Sequence, residues 1–238
     1  MLQMVLDATE YFNEQTRGEI AIAATDTQGP LSNMSLICDV TWMLMEAWDY
    51  PEEFHQALGM ITDLIIEFTL EQRKRCTKIA APGHTMWSPE GFGGVSLSDD
   101  MLALVGPDFY KEFGLPYDQR IADALGGAGI HSCGQWPHNF KVVQELEHIT
   151  MVDLAMSKAW DPDPNTPENI IAGFGGTGIP IQVRCDPADT GQIDKLLGSN
   201  VRSILSYWWD ENLANRQWAY EDTKRRWETL RQSCEQKY

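Results

Sequence analysis

Gly129-Ile130-His131-Ser132-Cys133-Gly134 places two soft metal ligands two residues apart at what reads as the end of a β-strand. Residues two apart on a strand point to the same face, roughly 6–7 Å apart along the chain, so His131 and Cys133 project together within reach of one ion. That makes half of a zinc site. Zinc takes imidazole nitrogen at about 2.0–2.1 Å and thiolate sulfur at about 2.3 Å, and a catalytic zinc keeps about three protein ligands and an open position. A buried cysteine acting as a small hydrophobe, beside a histidine hydrogen-bonded in the core, would account for the same residues.

Outward from this strand, strand-like and helix-like segments alternate. Residues 2–15 form an apolar-periodic segment (Leu2, Val5, Leu6, Phe12) closed by Gly18, and Ile20 to Ala24 reads as a short buried strand. Asp49-Tyr50-Pro51-Glu52-Glu53 is a helix start, with Asp49 as N-cap, an early proline and acids in the first turn. Phe54, Leu58, Ile61, Ile65 and Phe68 mark its buried face, and Arg73-Lys74-Arg75 ends it as a solvated terminus complementing the helix dipole. Residues 82–94 follow a strand-like segment. Rich in glycine and proline, they suit a lid that carries His84 and Trp87 over a pocket, or a surface loop with Trp87 packed on a helix.

Val95 to Asp100 reads as a strand ending in two acids, and Gly106-Pro107-Asp108 opens a helix that Pro116 should kink and Gly126-Gly127 stop. Beyond the His131 strand come a helical Phe140 to Leu146, a strand from Ile149 to Met156 containing Asp153, and a Pro- and Asp-rich connection over 157–168. Ile179 to Cys185 and Val201 to Trp209 are the last strands, and a long polar helix through Trp218, Trp227 and Leu230 follows. This α/β order implies a parallel sheet with helical crossovers. Strand after strand ends in polar groups: Asp99 and Asp100, His131 and Cys133, Arg184 and Asp186, Asp210. In a β/α barrel those C-terminal strand ends form the active-site face.

A chain of 238 residues fits one domain spanning 1–238. Eighteen basic against thirty-five acidic side chains give a formal charge of −17, which repels phosphate backbones and anionic lipid and argues against nucleic-acid or membrane-surface binding. No apolar run reaches the ~18 residues of a membrane span, and the first residues lack a signal-peptide pattern, so a cytoplasmic location is expected. The five cysteines are odd in number and scattered, as expected of reduced thiols rather than a disulfide framework.

Several stretches together resemble one family. Gly29-Pro30-Leu31-Ser32, the helix with Ile61-Thr62-Asp63, Gly106-Pro107-Asp108-Phe109-Tyr110 leading to Leu115-Pro116-Tyr117 and Arg120-Ile121, then Ile130-His131-Ser132-Cys133-Gly134 and Asp186-Pro187, resemble the uroporphyrinogen decarboxylase superfamily in the same order. Within it, His-x-Cys-Gly is similar to the zinc-dependent methyltransferases that move methyl groups between corrinoid proteins and thiols such as coenzyme M. The resemblance implies a (β/α)8 TIM barrel with His131 and Cys133 as zinc ligands, a methylcobalamin-type corrinoid supplied by a partner protein or as substrate, and a small-molecule substrate. About six strands can be placed, so the first one or two β/α units are expected to be lacking. The decarboxylase's N-terminal arginine and aspartate motif has no counterpart before Ile20. Open strand edges would then call for a completing chain or for self-association.

The methyltransferases supply a third zinc ligand, a cysteine, from the final strand, where this chain has Ser206-Tyr207-Trp208-Trp209-Asp210. Cys185 is the obvious substitute, although Ile179, Ile181, Val183 and Cys185 share an apolar face that would normally pack on helices. Asp100, Asp210 or His84 could ligate instead. Asp99 and Asp100 are equally candidates for acid/base work and for a helix cap, and Asp210 joins them as a catalytic candidate. Arg184, on the inward alternation of its strand, could bind a substrate carboxylate or pair with Asp186 or Asp210. Tyr207, Trp208 and Trp209 would wall a flat substrate or pack in the core. Gly173 to Gly178 reads as a flexible connection, since it precedes a strand instead of a helix.

Overall fold

Proline in the first helical turn, where its missing N–H forfeits no bond, starts five of the helices described below. The structure, a computed structural model, describes residues 1–81, 92–186 and 188–207, with 220, 221, 224, 225 and 228. In chain order the elements are α1 (Leu2–Gln15), β1 (Ile22–Ala23), α2 (Pro30–Ile37), α3 (Val40–Asp49), α4 (Pro51–Lys74), β2 (Ile79–Ala80), β3 (Val95–Ser98), α5 (Pro107–Phe113), α6 (Leu115–Leu125) and β4 (Ala128–His131). They continue with α7 (Phe140–Val143), β5 (Ile149–Ala155), α8 (Pro167–Phe174), β6 (Ile181–Cys185), α9 (Thr190–Leu197) and β7 (Ser203–Tyr207).

Strands β3 to β7 form one parallel sheet in sequence order, and β1 pairs with β2, also parallel. Each strand beside its successor, with helices between, is the winding of a β/α-barrel wall. The described residues hold seven strands, the short β2 being the strand-like segment ahead of residue 82.

Register decides which residues share a face. Leu97, Ile130, Val152 and Ile181 align across β3 to β6 and lie in the hydrophobic core with Phe113, Ile121, Phe140, Ile170 and Ile193 from the helices. The alternate positions Ser98, His131, Asp153 and Gln182 align across the same four strands, all buried, and form a polar row on the opposite face.

Several local expectations are corrected. Residues 107–125 are two helices that meet at Gly114, where an added Cβ would lie 2.2 Å from the Tyr110 ring, and Pro116 sits in the first turn of the second helix instead of kinking one long one. Helices α8 and α9 occupy segments without an obvious helical signal; Thr166 caps α8 by accepting from Asn169 N–H. Tyr50, not Asp49, holds the N-cap position of α4. Among the described residues no helix is long and apolar enough to cross a membrane.

Arg73 is not a solvated terminus. Its guanidinium donates to Leu125 O (2.9 Å) and Gly94 O (2.8 Å), tying the end of α4 to the end of α6 and to the turn entering β3. That turn is close-packed: Gly94 has φ +75°, and a Cβ there would lie 2.3 Å from Gly127 O. Replacement of Arg73 by alanine should therefore lower unfolding stability by about 2 kcal/mol, since a charged donor to two carbonyls is lost. Lys74→Ala, which removes only an exposed pair with Glu71, should leave it nearly unchanged. Urea titration of both variants checks this; equal effects would show that Arg73 does not pin the elements together.

Candidate metal centre

The end of β4 is shaped by the turn that follows it. Gly134 adopts φ +74°, where a Cβ would lie 2.9 Å from Ala103 Cβ, so the chain can turn sharply just after Cys133. The connection after β5 holds this turn from the other side: Asp161 Oδ2 accepts from Gly134 N–H at 2.6 Å, and Asn165 donates to Gly134 O at 3.0 Å. The end of β3 holds it too, with Asp99 N–H donating to His131 O (2.7 Å) and Asp100 Oδ1 accepting from Cys133 N–H (2.7 Å).

Within this frame His131, only 8% exposed, has its two ring nitrogens in different surroundings. Nδ1 lies 2.5 Å from Asp153 Oδ1, and Nε2 faces Cys133 Sγ at 3.7 Å. Asp153 is fully buried and further satisfied: Gln182 Nε2 donates to its Oδ2 at 2.7 Å, and Arg184 Nε lies 3.0 Å from Oδ1. The Arg184 guanidinium lies over the Trp160 ring, 5.7 Å from its centroid, and its Nη2 is 4.0 Å from Cys133 Sγ. Burial pulls the His131 pKa down, but the hydrogen bonds with Asp153 and Cys133 and the Asp153 charge outweigh burial and the repulsion of Arg184, raising it to about 9.

This arrangement fits a metal. Nitrogen and sulfur on one tetrahedral zinc, at about 2.0–2.1 and 2.3 Å from it, lie about 3.6 Å apart; the pair here stands at 3.7 Å. A carboxylate on the far ring nitrogen is the usual way a metal-bound histidine is oriented and made more basic. Ligand atoms of Asp100, His131 and Cys133 all lie within 4.8 Å of one another.

The other candidates fall elsewhere. Cys185 is fully buried on the helix-facing side of β6 with Ile181 and Val183, the alternation that turns Arg184 toward Asp153. Tyr207, in register with Cys185, packs against that same core and not against the polar row, because pairing of β6 with β7 puts it on the helix side. Asp99 is fully buried beside α2, accepting from Ser32 Oγ at 2.7 Å. Burial pushes its carboxyl up to about 6, against the Ser32 bond and with added repulsion from Asp100. Nearby Tyr110 donates to Asp118 Oδ2 at 2.6 Å, and burial, reinforced by the charge of Asp99, holds Asp118 well above the usual carboxylate range. His84, Trp87, Trp208 and Asp210 lie outside the described residues. Asp153 and Gln182 are the functional positions that the sequence left unassigned. Their signal was parity: a lone acid and a lone amide at inward positions of two apolar strands.

The family model described as uroporphyrinogen decarboxylase (URO-D) matches residues 1–165, a span that carries β1 to β5 and with them Asp100, His131, Cys133 and Asp153. No curated protein matches the chain.

In the metal-free protein the His131 ring should titrate near pH 9. Because that lies above the unfolded value of 6.5, the pair's stabilisation is complete below about pH 6.5 and is lost as pH rises through about 9. Asp153→Asn should move the titration downward, since burial then acts with less opposition. Imidazole NMR across pH on both proteins reads this directly; an unmoved midpoint would show that Asp153 does not govern the ring.

Proposed function

The chain belongs to the uroporphyrinogen decarboxylase family, a family of enzymes, and on that premise we propose that it is a zinc-dependent methyltransferase moving a methyl group between a corrinoid, or another methylated donor, and a thiol or related acceptor. One observation carries this: His131 Nε2 and Cys133 Sγ stand 3.7 Å apart with the far ring nitrogen held by a buried carboxylate. A zinc bound there would act as a Lewis acid, lowering the pKa of a substrate thiol so that a thiolate exists at neutral pH.

The protein's own groups prepare that chemistry. With the ion bound, Asp153 would keep the Nδ1 proton of a neutral His131 and leave Nε2 to donate its lone pair, while Gln182 and Arg184 hold Asp153 in place. Arg184 Nη2 lies 4.0 Å from the Cys133 sulfur, so a cation stands beside the ligand atom. The corrinoid would come from a partner protein or as free substrate.

A decarboxylase acting on a tetrapyrrole or another polycarboxylate would need free inward cations to hold its carboxylates. Arg184, the inward arginine on which that alternative depends, is already paired with Asp153. The metal reading uses the residues as they stand.

Protein purified without chelators should contain near-stoichiometric zinc, and His131→Ala and Cys133→Ala should each lose it. With free methylcobalamin and a thiol, the wild type should consume the methylcorrinoid, and the two variants should not. Zinc-free wild-type protein, or loss of carboxyl groups from added uroporphyrinogen, would overturn the proposal.

A further inference from the structure

We infer that Asp100 is the third protein ligand of this centre, giving one nitrogen, one sulfur and one oxygen donor; the inference rests on the reading that His131 and Cys133 hold a divalent metal. Register brings Asp100 to the place. Ser98 pairs with His131, so the residues two beyond each, Asp100 and Cys133, leave neighbouring strand ends at the same level. The Cys133 N–H then fixes the carboxylate through Asp100 Oδ1 at 2.7 Å. A carboxylate has lone pairs on both oxygens, so one can hold this amide while the group also meets an ion.

Distances agree. Any two donors on a tetrahedral zinc lie about 3.3–3.7 Å apart, and the ligand atoms of Asp100, His131 and Cys133 already lie within 4.8 Å of one another. Asp100 is exposed, so its side chain can close the remaining gap by rotating, without moving the packed strands.

Charge selects the same residue. Asp153 and Arg184 cancel each other, and His131 ligates as a neutral ring. With the Cys133 thiolate alone, a divalent ion would leave one uncompensated positive charge beside the buried His131 and Asp153. A second anion removes that penalty. Cys185 cannot supply it from the far side of the sheet, and Asp99 is fully buried and turned to Ser32. A carboxylate in place of a second thiolate also donates less charge, which leaves the metal a stronger Lewis acid toward a substrate sulfur or oxygen at its open position.

Cobalt(II) and zinc(II) titrations of the metal-stripped full chain test this, with the sulfur-to-cobalt charge-transfer band as a count of thiolates. The wild type should show one thiolate, and Cys133→Ser none. Asp100→Asn, which keeps the acceptor for Cys133 N–H, should weaken zinc binding by more than the ~10–100-fold typical of losing an outer hydrogen-bond partner, with the band retained. Asp100→Cys should raise the band about twofold, a gain that only a ligating position can produce. Wild-type affinity in Asp100→Asn together with an unchanged band in Asp100→Cys would overturn the inference and leave the His131–Cys133 centre standing. A wild-type chain that binds neither metal would overturn both.

Discussion

A carboxylate with no solvent exposure, Asp153, bonded to one face of a buried imidazole, is the constraint on which the rest of the site depends. Taking a charge so far from water costs several kcal/mol unless partners replace its hydration. Here a ring nitrogen, an amide and a guanidinium do so, drawn from β4 and β6 on the two sides of β5. Neither strand could shift register by one residue without turning a partner to the helix side and stranding the charge. The polar row therefore fixes the sheet as firmly as the apolar face does, and it fixes the direction in which His131 presents its remaining nitrogen.

That direction links fold to chemistry. The imidazole is held from behind, the thiol beside it is carried by a turn pinned on both sides, and the acid at the end of β3 is tied to the thiol's own amide. Such bracing places ligands before any ion arrives, which lowers the ordering cost of binding. The buried Asp99 and Asp118 lie behind this frame among α2, α5 and α6; burial raises both, with repulsion from Asp100 added at Asp99 and repulsion from Asp99 added at Asp118. These acids support the wall and do not meet the thiol.

How much was readable in the chain follows from how local each signal is. Alternation along one strand is local, so Arg184 could be turned inward from the residues alone, while Cys185, kept as a candidate ligand despite its apolar alternation, lies on the helix side. The same logic would have turned Tyr207 to the helix side, but only once β7 is registered against β6, which no single-strand pattern supplies. Asp153 was visible as an acid in an apolar strand; its meaning lay in His131, 22 residues away, and Gln182, 29 away. Arg73 misled because a basic run at a helix end is usually solvated, whereas the carbonyls it caps belong to α6 and to the turn before β3. The helices α8 and α9 escaped for a plainer reason: eight-residue helices next to glycine-rich or Asp-Pro segments read as connections.

The central claim is that one metal ion is shared by the nitrogen of His131 and the sulfur of Cys133. Zinc-edge X-ray absorption on the protein as purified addresses it without reference to any substrate. The account predicts one sulfur at about 2.3 Å and a remaining shell of nitrogen and oxygen at about 2.0–2.2 Å. A spectrum fitted by light atoms alone, with no sulfur bound, would contradict it.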